Sequence, residues 1–156
     1  SSAVYTVPYG VMVPKEVDNL LLPVPVSGSH IGFSTLRMEP CWMAMGQAAG
    51  IASALSIDGK VKVQNIDLSR LQDKLIDQKA TLMYFKDVDY TSPHFRMVQY
   101  LGLRGYLPEW TARLQEPVDA TTLAAWKKLS GTDLPGIEAG KTTRLATLEM
   151  IYRKIK

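Results

Sequence analysis

A chain of 156 residues, 46% hydrophobic and 21% charged, has the composition of one ordinary globular domain or two small ones. That composition excludes a disordered tail, and 11 glycines without a three-residue period exclude a collagen-like chain. One cysteine and two distant histidines, His30 and His94, leave no Cys/His metal cluster, and a net charge of +3 without a dense basic run gives no nucleic-acid footprint.

The longest apolar run, Cys41 to Leu55, is shorter than the roughly 20 residues a membrane span needs, so it reads as a buried helix. The opening Ser1-Ser2-Ala3-Val4 has neither Met nor a basic leader; no signal peptide is expected, and the start is expected to be cut. The compartment stays open between cytoplasmic and exported. Lysine plus arginine balance aspartate plus glutamate at seven each over residues 1–80, and exceed them by eleven to eight over 81–156. Composition thus changes near residue 80, and two domains are expected, 1–80 and 81–156.

In chain order, the segment up to Asn19 mixes Val4, Thr6, Val11 and Val13 with Pro8, Gly10 and Pro14, the pattern of extended chain and turns. Leu20-Leu21-Leu22 predicts a buried or edge strand that Pro23 and Pro25 must end, since each lacks a ladder donor. Residues 27–34, with Gly28 and Gly32 among serines, predict a loop. From Pro40 to Ser56 a helix is expected, proline suiting its first turn. Gly46 and Gly50 each cost about 1 kcal/mol against alanine there, so close backbone packing is expected around them. After an Asp58-Gly59 turn, Val61-Lys62-Val63 predicts a short strand, and Asp67 an N-cap for a helix with Leu68, Leu71 and Leu75 on one stripe.

The second half reads as helical. Ser92-Pro93 opens a helix with Phe95, Val98 and Leu101, stopped by Gly105; Asp119 caps one with Leu123, Trp126 and Leu129, stopped by Gly131; Thr142 or Thr143 caps a last helix carrying Leu145, Leu148, Tyr152 and Ile155. Each is short enough to need packing against the others. Taken together, the expected fold is α+β: a few strands and a buried small-residue helix, followed by a small all-α domain.

Chemistry-bearing residues are sparse. Asp87 and Asp89 read as a turn with a capping aspartate. His30 is an acid-base candidate by residue type, with no acidic partner in view. Cys41 reads as inert burial, and neither a nucleophile elbow nor a Gly-x-Gly-x-x-Gly phosphate loop is present. The glycine-serine loop, Arg37 and the start of the Pro40 helix together form a donor-rich spot for an anionic or carbonyl oxygen.

Asn19 to Leu22, Ser27-Gly28-Ser29-His30, and Arg37-Met38-Glu39-Pro40 leading into Met45-Gly46-Gln47-Ala48-Ala49-Gly50 resemble the C-terminal motif of bacterial FAD-dependent oxidoreductases. The match spans Tyr9 to Leu55. It implies a strand, loop and helix that complete an FAD domain whose dinucleotide-binding βαβ unit lies upstream on the same chain. It also implies that Ser29, Arg37, Gly46, Gln47 and Gly50 face the cofactor, with His30 as catalytic candidate near the flavin ring. FAD is expected in the complete protein and not on this fragment, which is expected to be inactive alone. Pro23-Val24-Pro25 departs from the family's usual Ala-Gly-Arg or Ala-Gly-Asp.

In the second half, Phe85-Lys86-Asp87-Val88, Gly105-Tyr106, Pro117-Val118 and Thr142-Thr143-Arg144 resemble one degenerate S-layer-homology repeat. The expected function is a piece of a flavin oxidoreductase transferring hydride to or from FAD, with a small-molecule or glycan substrate. The alternative is a non-catalytic surface-attachment or glycan- or protein-binding module.

Overall fold

The computed structural model describes residues 4–156. Two compact units divide the chain, Ser1–Ala80 and Thr81–Lys156. Among the described residues six α-helices carry them: α1 (His30–Leu36), α2 (Glu39–Gly59) and α3 (Leu68–Asp77) in the first, α4 (Phe95–Leu103), α5 (Ala120–Ser130) and α6 (Arg144–Ile155) in the second.

The expected α+β class is overturned: among the described residues the chain is helical, with no strand and no sheet. The reasons are local. Asn19 adopts a left-handed φ of 56° just before Leu20. Pro23 and Pro25 then withhold donors, so what remains of the pairing is Leu22 N–H to Met12 O and Ser27 N–H to Val11 O, both 2.8 Å. Two isolated bonds make no ladder. At Val61-Lys62-Val63 the donors are likewise spent close by: Val61 N–H returns to Ser56 O at 3.0 Å, and Val63 opens a 3-10 turn, Val63–Asn65.

The first unit is organised by α2, a helix of 21 residues whose buried side is Met45, Ala49, Ala52, Leu55 and Ser56. Against its first half pack Met12, Val26 and Leu36, with Tyr9, Leu21 and Trp42 at the margin. It also packs on α3, which buries Leu71, Leu75 and Ile76 and is capped by Asp67, as its sequence pattern indicates. The Tyr9 hydroxyl donates to Val63 O at 2.9 Å, joining the 3-10 turn Tyr9–Met12 to the segment after α2. Burial pushes this phenol above its ordinary pKa.

The second unit has a larger core built from Phe85, Val98, Leu101, Leu107, Trp126, Leu148 and Ile151, with α4 packed on α6. The buried side chains of Trp126 and Arg144 are paired there, as low dielectric demands. The Trp126 indole N–H donates to Tyr106 O at 2.7 Å, and Arg144 Nε donates to Ala112 O at 2.9 Å while its guanidinium lies 5.0 Å from the Trp126 ring centre. Burial, with the nearby Arg113 charge, lowers the Arg144 pKa from its usual value. Asp87 is structural: its two oxygens accept from Ala112 N–H at 2.8 Å and Arg113 N–H at 2.7 Å. An isolated bridge pairs Pro117 with Thr143.

Candidate functional site

Ser29 is the N-cap of α1, its hydroxyl accepting from Gly32 N–H at 3.1 Å. The glycine-serine stretch, expected as a loop, is therefore a helix from His30 onward. Two further hydroxyls fold back on it, Ser34 to Ile31 O at 2.6 Å and Thr35 to Gly32 O at 2.8 Å, and Leu36 anchors it in the core. His30 is exposed in the first turn, and its side chain makes no hydrogen bond or ion pair among the described residues. Arg37 closes the same helix as its C-cap, exposed, with Nε donating to Ser34 O at 3.4 Å.

Gly46, Gln47 and Gly50 share the exposed side of α2. A Cβ added at Gly46 or Gly50 meets nothing within 4 Å. Close packing at these glycines, which their position in the sequence suggests, is thus absent within the first unit. The same unit exposes large apolar side chains: Met43 is 75% exposed, Ile57 76% and, on α1, Ile31 81%. Gln47 is engaged on one side, its amide donating to Gln78 Oε1 at 2.9 Å. The start of α2 offers few spare donors, because Pro40 has none and both Cys41 and Trp42 N–H return to Met38 O. Glu39 further opposes an anion there.

Sequence reasoning passed over Trp42, whose indole nitrogen is buried without a hydrogen-bond partner among the described residues. An orphaned donor of this kind costs about 1–3 kcal/mol unless something accepts from it. The signal in the sequence was its place, one turn into a helix flanked by Arg37 and Gly46. Cys41 is a half-buried free thiol, 3.9 Å from Thr35 O.

Two depressions of the surface lie away from these residues. One of about 440 Å³ at the far end of α2 is lined by Asn19, Ser53, Ser56, Lys60 and Lys62, and includes none of the six candidates. In the second unit an open groove of about 420 Å³ is lined by Asp87, Ser92, His94, Thr111 and Arg113, with exposed Tyr84, Tyr90 and Trp110 elsewhere on that unit's surface. Among the described residues no group of His, Cys, Asp and Glu is arranged to hold a metal ion, and no helix is long and apolar enough to cross a membrane.

The site residues fit a flavin as one wall fits an enclosure. A bare small-residue face, an orphaned indole N–H and the exposed His30 and Arg37 are suited to contact a cofactor. None of them encloses one. No curated protein and no solved structure matches the chain. The family model of the FAD dependent oxidoreductases matches residues 1–75, the stretch that carries α1, α2 and most of α3, and supports a likeness to that family.

Proposed function

We propose that the first unit is the part of a flavin-dependent oxidoreductase that closes over the cofactor, and that the exposed face of α2 with α1 is the surface it presents. The observation carrying this reading is the open side of α2: Gly46 and Gly50 have free space where a Cβ would stand, within a segment matched by the family model. A helix in water gains about 1 kcal/mol by replacing each such glycine with alanine. Retaining both suits a partner surface that approaches the backbone closely.

In this reading Arg37 places a full positive charge beside anionic groups of FAD, Trp42 supplies an indole donor, and His30 offers an imidazole to the substrate or the flavin ring. The flavin, when bound, supplies hydride chemistry, and this chain supplies orientation and electrostatics. The dinucleotide-binding part belongs to the rest of the same polypeptide, since no Gly-x-Gly-x-x-Gly unit is found in residues 1–156.

The test has two arms. The polypeptide with its dinucleotide-binding part should purify yellow, with flavin absorbance, and the 156-residue chain should show no saturable quenching on FAD titration. A colourless complete polypeptide refutes the proposal. Micromolar binding by the 156-residue chain refutes the one-wall reading.

A second reading concerns residues 81–156 as a binding module that attaches the protein to glycan or to another protein. The groove lined by Asp87, Ser92, His94 and Arg113 favours it, as do the exposed Tyr84, Tyr90 and Trp110, which offer polar contacts and aromatic faces. Co-sedimentation of that unit with cell-wall glycan checks it, and no enrichment over a Trp110→Ala variant sinks it.

A further inference from the structure

The chain between α3 and α4 is held from two directions by hydrogen bonds that stop short of each other. On one side, Lys79 adopts a left-handed φ of 64°, and the N–H groups of Lys79 and Ala80 return to Ile76 O and Leu75 O, each at 2.9 Å. This closes the last turn of α3. On the other side, Gln99 of α4 is fully buried and spends its whole amide on one dipeptide. Its Oε1 accepts from Leu82 N–H and Met83 N–H, both at 2.8 Å, and its Nε2 donates to Met83 O at 2.7 Å.

Thr81 stands between the two anchors. It is exposed, it makes no hydrogen bond among the described residues, and it is the first residue of the second unit. Nothing about packing inside α4 calls for a glutamine, because an apolar side chain of equal volume fills such a site without an amide to satisfy. The same helix also seats the chain that follows: a Cβ at Gly102 would stand 3.0 Å from Phe85 Cζ and 3.5 Å from Met83 Cγ. Leu82, Met83 and Phe85 are therefore seated on α4.

We propose that Thr81 is a one-residue hinge between the two units, and that Gln99 is the positioning residue that fixes where the hinge ends. The freedom of the chain is confined to ψ of Ala80, the two dihedrals of Thr81 and φ of Leu82. A linker of ordinary composition spreads its freedom over several residues, whereas this one is cut to its minimum by the two sets of bonds.

Backbone 15N relaxation and amide hydrogen exchange on the 156-residue chain test this. The expected profile has an order parameter below about 0.6 at Thr81, values near about 0.85 at Leu82 and Met83, and exchange protection at both latter amides. Gln99→Met keeps the volume and removes the bonds; exchange at Leu82 and Met83 should accelerate at least tenfold, with Val98 and Leu101 still protected. Gln99→Glu, studied below its raised pKa, carries one acceptor oxygen and one donor hydroxyl in the same place and should restore the protection. A Thr81 as rigid as its neighbours, or mobility already spread across Leu82 and Met83 in the wild type, overturns the hinge. Unchanged exchange in Gln99→Met overturns the latch. Should that variant fail to fold, the wild-type profile and Gln99→Glu decide.

Discussion

Gly102→Ala sets helix propensity against packing in a single methyl group. Gly102 lies buried inside α4, where alanine is favoured over glycine by about 1 kcal/mol. The added Cβ would meet Phe85 Cζ at 3.0 Å and Cε2 at 3.2 Å, and Phe85 is itself a core residue with only 5% of its surface exposed, so its ring has little room to withdraw. Overpacking of this kind costs about 1–3 kcal/mol, which leaves a net destabilisation of about 1 kcal/mol. For a unit of this size that lowers Tm by about 4–8 °C. In a Trp42→Phe background, Trp110 and Trp126 make fluorescence a reporter of the second unit alone, so thermal and urea unfolding read the change directly. Gly50→Ala is the control: no atom lies within 4 Å of its new Cβ, and α2 should gain about 0.5–1 kcal/mol, seen as slower hydrogen exchange of its amides. A Gly102→Ala variant as stable as wild type or more so would refute the reasoning.

Trp126→Phe removes the 2.7 Å bond to Tyr106 O and leaves that carbonyl unpaired in the core; a loss of about 1–3 kcal/mol is expected by calorimetry. Asp119 caps α5 through Thr122, whose hydroxyl and N–H hold the carboxyl below its ordinary value of 3.8. A depressed folded-state pKa gives stability that is present above 3.8 and lost as pH falls through the folded value, so acid unfolding of the second unit should lose part of its pH dependence in Asp119→Asn. In the flavin-bearing polypeptide proposed above, Arg37→Ala should lower flavin occupancy or reduction potential, and His30→Ala should lower turnover more than FAD content; wild-type values in both would remove these residues from the site.

The helices with strong end signals were legible in the sequence, because the cap is a local interaction that the residue types themselves specify. Asp67, Asp119 and Thr143 each accept from an N–H in the first turn of α3, α5 and α6, and Gly131 ends α5 with a φ of 61°. The start of α4 was less so: Ser92 and Pro93 form a preceding turn, with Ser92 Oγ accepting from His94 N–H at 3.2 Å, and the helix begins at Phe95. Missed altogether was α1, because two glycines in a serine-rich stretch argue for a loop. Its seven residues persist through the Ser29 cap, two back-bonding hydroxyls and the burial of Leu36, and only the first of these is a pattern written in local sequence. Strands failed for the opposite reason. A strand is completed by a partner, and the donors of Leu22 and Val61 found single nearby acceptors before any ladder formed.

The candidate site shows the same division between what is local and what is not. Residue identities at Ser29, His30, Arg37, Gly46, Gln47 and Gly50 were readable, yet whether small residues on a helix mean burial or exposure was not, since both produce an uncharged sequence. In α2 the uncharged pattern hides two different faces. Met45, Ala49, Ala52 and Leu55 are small or flexible enough to lie against the core, and Met43, Gly46, Gly50 and Ile57 are turned outward, where apolar side chains gain nothing from water. A helix built only for this unit would carry charge on the second face. That face therefore bears on what the unit is built to meet, and Gly46→Lys is its sharpest probe. Lysine restores a solvated face at little cost to the isolated chain, as no neighbour stands within 4 Å of the new Cβ. In the proposed longer polypeptide it should abolish flavin incorporation while the 156-residue chain keeps or raises its Tm. Equal flavin content in the two polypeptides would show that this face meets only water.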